Sequence, residues 1–422
     1  MRISTKSFYD TATAQVDSIQ AALAHTQQQV ATGLKNLTPS DDPLATAQAL
    51  VVSQAQANNT QLAANRQNAE TSLTTEAAAL ASTTALIQNV QTLAVSASNG
   101  SMNDSDRATL AMQLQGSLND LMGLANTTDA SGNYIFSGFQ ASTQPFTPSA
   151  GGATYHGDQG QLQLQIGATQ QTAINDSGSS VFENNMTGNG TFTTAAGTVP
   201  PNTGTGIVAA GSVTNAAQLT NHNYSINFSI GIIAPSTTPS TTYTVTDNTQ
   251  SPAVQVLPPL PAVSAPYVSG GQIAFDGLQL NVTGAPANGD TFTVAPSQQA
   301  PLFATLSNLI ALLNTPVAGA AVPATAQAAL TNGLNTAQAN LNSALNNVLS
   351  VSTSVGNRQN QLTALDTAGS NLDLQYASTL SGLQNVDYVQ AASLLTQQQT
   401  TLTAAEKSFQ VLSGLSLFNY IN

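Results

Sequence analysis

The stretch Ser354–Asn422, SVGNRQNQLTALDTAGSNLDLQYASTLSGLQNVDYVQAASLLTQQQTTLTAAEKSFQVLSGLSLFNYIN, keeps a helical beat of apolar residues almost to its last residue. In its first half Leu362, Leu365, Leu372, Tyr376, Leu383 and Val386 fall three, four or seven apart, the a/d spacing of a coiled-coil seam. The seam then changes phase. Tyr388, Leu395, Leu402 and Phe409 follow at intervals of seven, with Ala391, Ala405 and Leu412 beside them. The end, Leu415, Leu417, Phe418, Tyr420 and Ile421, is strongly apolar, and such a surface is seldom left in water.

The opening of the chain answers this stretch. Tyr9, Val16, Leu23, Val30 and Leu37 also recur every seven residues, and Ala12, Ile19, Thr26 and Gly33 occupy the intervening d-like positions. The two termini are therefore expected to pair as helices. Each seam residue contributes about 1.5–3 kcal/mol when fully buried, whereas intrinsic helix propensity is weak in segments rich in Thr, Asn and Gln. Alone, these arms should be frayed or disordered.

Composition narrows the function classes. At 422 residues and 41% hydrophobic content the chain is long enough for two or three domains with a real core. Charged residues are only 6%, against about 25% in an ordinary soluble protein, so Ser, Thr, Asn, Gln and Gly must carry the surface. With 7 basic and 20 acidic residues the net charge is -13, which excludes nucleic acid as a partner. Neither Lys nor Arg occurs between Arg107 and Arg358, a stretch that holds Asp120, Asp129, Asp158, Asp176, Glu183, Asp247, Asp276 and Asp290; it is read as acidic without an internal salt bridge. A neutral polar exterior suits close packing of many identical subunits, because few charges need desolvating at each contact. It suits equally a secreted protein with a neutral surface.

There is no cysteine, hence no disulfide framework. No apolar run approaches membrane-spanning length, and membrane insertion is not expected. Met1-Arg2-Ile3-Ser4-Thr5-Lys6 has no apolar h-region, so any export is expected to proceed without a cleaved signal.

Along the chain, Pro39 stops the first helix, Asp42 is placed to cap the next and Pro43 fits its first position. The pair Asp41 and Asp42 is read as capping chemistry rather than a calcium or catalytic site, since no further oxygen ligands follow at loop spacing. An Ala- and Gln-rich helix runs from Leu44 to about Ser98 with Leu62, Ala69, Leu73, Leu80, Ile87 and Ala94 on one stripe, long enough to imply a rod. Asn103 or Asp104 caps a third helix whose apolar face is Leu110, Leu114, Leu118, Leu121 and Ala125.

At Asn126 the pattern turns to β, beginning with Tyr134, Ile135 and Phe136, and Leu162, Leu164 and Ile166 alternate with glutamines as a half-buried strand. Residues 186–296 are predicted to form an inserted β domain with strands at Tyr224–Ile233, Tyr243–Val245, Ile273–Phe275, Leu278–Val282 and Phe292–Val294. The Pro-rich piece Ser251–Pro266 is expected to be an extended connection. Helix returns at Pro301 with Phe303, Leu306, Leu309, Ile310 and Leu313. From Ala324 it is expected to continue almost to the end. The fold class is thus α+β, long terminal coiled-coil helices around an inserted β-rich domain.

Catalytic chemistry finds no support. His25, His156 and His222 are the only imidazoles and do not pair at metal-ligand spacing; there is no nucleophile elbow and no P-loop. No enzyme activity, cofactor or metal is expected.

Specific motifs then call for comparison with a family. Gln29-Val30-Ala31-Thr32-Gly33 and Pro39-Ser40-Asp41-Asp42-Pro43 resemble the N-terminal signature of the flagellin superfamily. Ala125-Asn126-Thr127-Thr128-Asp129, Gly132 through Gly138, the Tyr155–Gly160 turn, Gly289 through Val294 and the ending from Lys407 through Ile421 resemble, within it, the hook-filament junction proteins. The likeness fades between about Met186 and Gln272. It implies a non-enzymatic structural adaptor of the bacterial flagellum, secreted through the type III export route with a flagellar export chaperone. It further implies a homo-oligomeric ring between the first hook-associated protein and flagellin.

In that scheme residues 1–42 and 376–422 are axial helices, 43–137 and 297–375 the helical rod, 138–185 a β-hairpin region of the rod and 186–296 an outward-facing β domain. Subunit contacts would fall on Tyr9, Val16, Ile19, Leu23, Val30, Leu37, Tyr388, Leu395, Leu402, Phe409, Leu412, Leu415 and Phe418. The alternatives are a flagellin filament subunit and, outside the family, a secreted surface adhesin.

Overall fold

The computed structural model describes residues 5–232, 237–317, 322 and 325–414. Helices α1 (Thr5–Thr32), α2 (Pro43–Ala97) and α3 (Asp104–Ala125) precede the β region, and α4 (Leu302–Leu313), α5 (Ala326–Gln384) and α6 (Tyr388–Gly414) follow it. The chain resolves into two compact units. One is drawn from Met1–Arg66, Ile166–Ala168 and Thr363–Asn422, the other from Gln67–Gln165 and Thr169–Leu362.

In the second unit each long helix buries a line of apolar side chains. Leu73, Leu80, Ile87 and Val90 of α2, Leu114 and Leu121 of α3 and Leu341, Val348 and Val355 of α5 have no accessible surface. Asn103 caps α3, its Oδ1 accepting from the Asp106 N–H at 2.9 Å. Between α3 and α4 the chain makes two hairpins, β1 (Phe146–Ser149) with β2 (Gly152–Tyr155) and β3 (Gln163–Gln165) with β4 (Gln171–Ala173). Tyr134–Phe136, expected to open a strand, lies in turns instead, with a single bridge from Thr128 to Tyr134. The reason is local. Gly138 at φ +73° turns the chain so closely onto Asp158 that a Cβ there would stand 2.1 Å from its Oδ1. Asp158 Oδ1 accepts from the Phe139 and Gly160 amides at 2.9 and 2.8 Å.

That turn delivers Phe136 into an aromatic core. Phe136 and Phe182 meet edge to face at 5.3 Å, Phe146 and Phe182 at 5.5 Å, and Phe146 and Phe303 lie 5.0 Å apart. Asn126 locks the first hairpin to α3, its Oδ1 accepting from the Phe146 N–H and its Nδ2 donating to the Phe146 carbonyl, both at 2.9 Å.

The β domain is a sandwich of antiparallel strands. One sheet has the order β10 (Val254–Leu257), β9 (Pro239–Asp247), β8 (Tyr224–Ile232), β14 (Thr291–Pro296), β5 (Phe192–Ala196), with β11 (Ala265–Pro266) also on β9. The other pairs β12 (Gln272–Phe275), β13 (Leu278–Thr283), β6 (Ile207–Val208) and β7 (Ser212–Val213). Alternation along β8 and β14 sends Tyr224, Ile226, Phe228, Phe292 and Val294 into one core with Ile273, Leu280 and Val282 of the facing sheet. The proline-rich piece, expected to be a plain connection, contributes β10 and β11: Val254, Gln255 and Leu257 find free positions along β9, and Tyr267 closes over Phe228 at 5.1 Å.

The acidic middle also holds an internal pair that a count of Lys and Arg misses, His222 Nδ1 at 2.7 Å from Asp247 Oδ2. Burial of Asp247 works against its ionised form, but hydrogen bonds from the Thr249 N–H and His222 outweigh it and hold the carboxyl below its usual range. Asp176 is paired as well, with Arg358 of α5.

The sandwich is seated on α5 by amides. Asn332 Oδ1 accepts from the Val208 N–H at 2.8 Å while its Nδ2 donates to the Gly206 carbonyl at 3.0 Å. Asn340 Oδ1 accepts from the Gly188 N–H at 2.7 Å; farther along α5, Asn347 Nδ2 donates at 2.9 Å to the Ser180 carbonyl of the segment that precedes the sandwich. The Asn residues that lower the helix propensity of α5 are thus its attachment points.

Because Phe146 is buried against Phe182, Phe303 and Tyr155, Phe146→Ala should destabilise the second unit by about 3–5 kcal/mol, seen as a lower urea midpoint with the slope unchanged.

Candidate functional site

The terminal unit sets α1 beside α6, as the heptads require. Tyr9 of α1 and Phe409 of α6 meet edge to face, with ring centroids 5.9 Å apart. Thr26 and Ala391 are the buried positions of the pair, at 3% and 6% exposure. Thr26 can sit there because its hydroxyl donates back to the Ala22 carbonyl of the same helix at 3.0 Å and needs no other partner.

The remaining seam is only half-covered. Tyr9, Val16, Ile19, Leu23 and Val30 on α1 and Leu395, Leu402 and Phe409 on α6 are all intermediate in burial, and so is Leu37 in the turn after α1. Tyr388 is not in a closed seam at all but 59% exposed. Leu412 belongs to α6 with its side chain outside the described set, and Leu415 and Phe418 lie outside the described residues. Further apolar side chains of this unit are open to solvent, among them Leu50, Val51, Leu374, Val389 and Val411, at 71%, 70%, 71%, 82% and 64% exposure.

The single helix expected from Ala324 to the end is broken. Residues between Gln384 and Tyr388 leave the helix and pair with the turn after α1. Leu34 and Asn385 form an antiparallel bridge, the Lys35 N–H donates to the Gln384 carbonyl at 2.6 Å, and the Val386 N–H donates to the Gly33 carbonyl at 2.9 Å. Asp387 then restarts the helix, its Oδ1 accepting from the Val389 and Gln390 amides at 2.9 and 3.2 Å. Gly33 makes this possible: its φ is +73°, and a Cβ on it would stand 2.9 Å from the Tyr388 hydroxyl. Asn385 and Asp387 are thus contact residues that the heptad count passes over, and Gly33, counted there as a d-like position, acts through its backbone. Their visible signal is the phase change between Val386 and Tyr388, with an aspartate set one residue before the new heptads.

Asp41 and Asp42 divide the labour of starting α2. Asp42 Oδ1 accepts from the Ala45 N–H at 3.0 Å, and Pro43 is the first helical residue. Asp41 Oδ2 accepts from the Leu37 and Thr38 amides, both at 2.8 Å, and lies 3.5 Å from His25 Nε2. The Thr38 N–H, first among these donors, holds the Asp41 carboxyl below its usual value. Within the same unit Arg66, 3% exposed, pairs with Asp366 and donates from Nη1 to the Ile166 carbonyl at 3.1 Å. Among the described residues no group of three His, Asp or Glu side chains could hold a metal ion, and no helix is long and apolar enough to cross a membrane. What the arrangement offers is an incompletely covered apolar surface rather than a reaction centre.

Comparison with known proteins gives the family. Residues 3–141 match the bacterial flagellin N-terminal helical region. The flagellar hook-associated protein 3 of Escherichia coli (strain K12) is 30% identical over 418 residues, which cover 99% of this chain and 99% of that protein. The crystal structure of the flagellar junction protein FlgL from Legionella pneumophila superposes with a TM-score of 0.71 at 32% identity, covering 80% of this chain and 100% of that one. FlgL of Xanthomonas campestris superposes at 0.67 with 26% identity, covering 78% of this chain and 99% of that one. The chain belongs to the flagellar hook-associated protein 3 (FlgL) family.

Proposed function

We propose that this chain is the structural adaptor that joins the flagellar hook to the flagellin filament, with its terminal helices as the joining surface. The observation that carries the proposal is the half-covered seam. Two helices that pair yet leave Val16, Leu23, Leu395 and Leu402 only half-buried have their remaining apolar surface available for neighbours. Identical subunits in a ring can supply that cover, with the first hook-associated protein on one side and flagellin on the other. Export before assembly, with a chaperone covering the terminal heptads, fits the same chemistry, because these segments gain their full burial only in the polymer.

The six-part division at residues 42, 137, 185, 296 and 375 belongs to this proposal. Its terminal parts are the assembling arms, and residues 186–296 are its outward-facing β domain. Support for assembling arms comes from the long uncharged run of α6, Tyr388 to Ala405, where little desolvation opposes packing against a neighbour; α1 carries Lys6, Asp10 and Asp17. An enzymatic role has no place in this family of structural flagellar components.

Antibody against the purified protein, applied to sheared flagella, should label a single band where hook meets filament. Label along the filament would make the chain a filament subunit. Replacing Leu402 and Phe409 together with Asp should abolish assembly while the circular dichroism of the β domain persists; normal filaments in that strain would overturn the assignment of the arms. Gly33→Val should cost about 1–2 kcal/mol through its left-handed backbone alone. Its clash with Tyr388 adds to this, and hydrogen exchange at the Val386 amide should report the loss as lower protection.

A further inference from the structure

Glu76 of α2 is fully buried, and no heptad or capping argument explains it. Its Oε1 accepts from the Asp176 N–H at 3.0 Å, while its Oε2 is buried without any hydrogen-bond partner. The charged groups facing it are Asp176, from the segment after β4, and Arg358, from α5. Arg358 is already committed. It pairs with the Asp176 carboxylate and donates from Nη1 to the Ala173 carbonyl at 3.2 Å. Asp176 Oδ1 also accepts from Gln161 Nε2 at 2.6 Å. One cation therefore serves two carboxyls in a site closed to water, where a second negative charge is costly.

We infer that Glu76 carries a proton at neutral pH and acts as a pH-sensitive clamp, holding the segment around β3 and β4 against α2 and α5 while protonated and weakening that attachment when the proton is lost. The clamp is independent of the assembly role proposed above. Its geometry joins three parts of the second unit, through Glu76, Asp176 and Arg358, and each part loses a partner if the cluster opens. Burial, then the adjacent Asp176 charge, pushes the Glu76 carboxyl from its ordinary 4.5 up to about 8, with Arg358 opposing the shift only in part.

A carboxyl whose folded value is raised binds a proton in the native state that the unfolded chain has already released. Its stabilisation is complete below pH 4.5 and is lost progressively as the pH rises through about 8.

The test is urea unfolding of the full-length chain across this range, beside Glu76→Gln, which stays neutral and keeps an acceptor for the Asp176 N–H. The wild-type equilibrium constant for folding should fall about tenfold per pH unit between about pH 5.5 and 7.5 beyond any change in the variant. The variant should also be the more stable of the two at the upper end. Equal pH slopes in the two proteins would overturn the proposal. An infrared titration of the folded wild type tests it without relying on the variant's folding: a protonated-carboxyl band present at neutral pH should disappear in mild alkali, and its absence at neutral pH would overturn the proposal.

Discussion

Two helices lying side by side can cover only one line of side chains on each, and full burial of a heptad seam requires neighbours on both flanks. The terminal unit stands at this limit. Tyr9 reaches Phe409 and Thr26 is sealed, yet the leucines and valines between them remain half-open. The same periodicity on α2 has the opposite outcome: Leu73, Leu80 and Ile87 lie in the second unit and are fully buried. Heptads written alike thus have two outcomes: in the second unit they build a finished core, in the first a seam left partly open.

With so few charges, the molecule must satisfy its polar groups by other means. Threonine and serine hydroxyls on the helices fold back onto the carbonyl one turn earlier, as Thr83 does to Ala79 at 2.8 Å and Thr71 to Gln67 at 2.9 Å. Buried carboxylates are used inwardly. Asp290, 2% exposed, accepts from the Thr203, Gly204 and Ala287 amides at 2.8, 3.0 and 2.8 Å and so fixes the loops at one end of the sandwich. Such groups shape loops from within rather than adding charge to the exterior.

The helices, the α+β class and half of the sandwich strands were legible in the sequence because each rests on a local pattern: heptads for α1 and α6, alternation at Tyr224–Phe228, capping at Asp42. What escaped depends on pairing between distant segments. Phe192–Ala196 carries no alternation strong enough to announce a strand and becomes β5 by lying along β14, with Phe192 opposite Pro296 and Ala196 opposite Phe292. Tyr134–Phe136 has strand-forming composition, yet the Gly138 turn and the Asp158 hydrogen bonds override it. At the candidate site the apolar seam could be listed from spacing alone. Exposure could not, so Tyr388 was assigned to the seam although its ring stands open beside Gly33.

The break before Tyr388 gives the phase change in the sequence a physical meaning. A heptad seam carried from Val386 into an unbroken helix would leave Leu395, Leu402 and Phe409 out of phase with the seam that ends at Val386. Ending α5 at Gln384 and restarting at Asp387 lets α6 take its own rotation, and the backbone groups freed by the break are satisfied by Gly33 and Lys35 rather than by water. The turn after α1 and the break before α6 therefore stabilise each other: neither can keep its hydrogen bonds if the other is straightened into helix. That mutual dependence sets the register of α1 on α6 at the end where the two helices are anchored. It leaves their far ends, toward Tyr9 and Phe409, held mainly by side-chain packing.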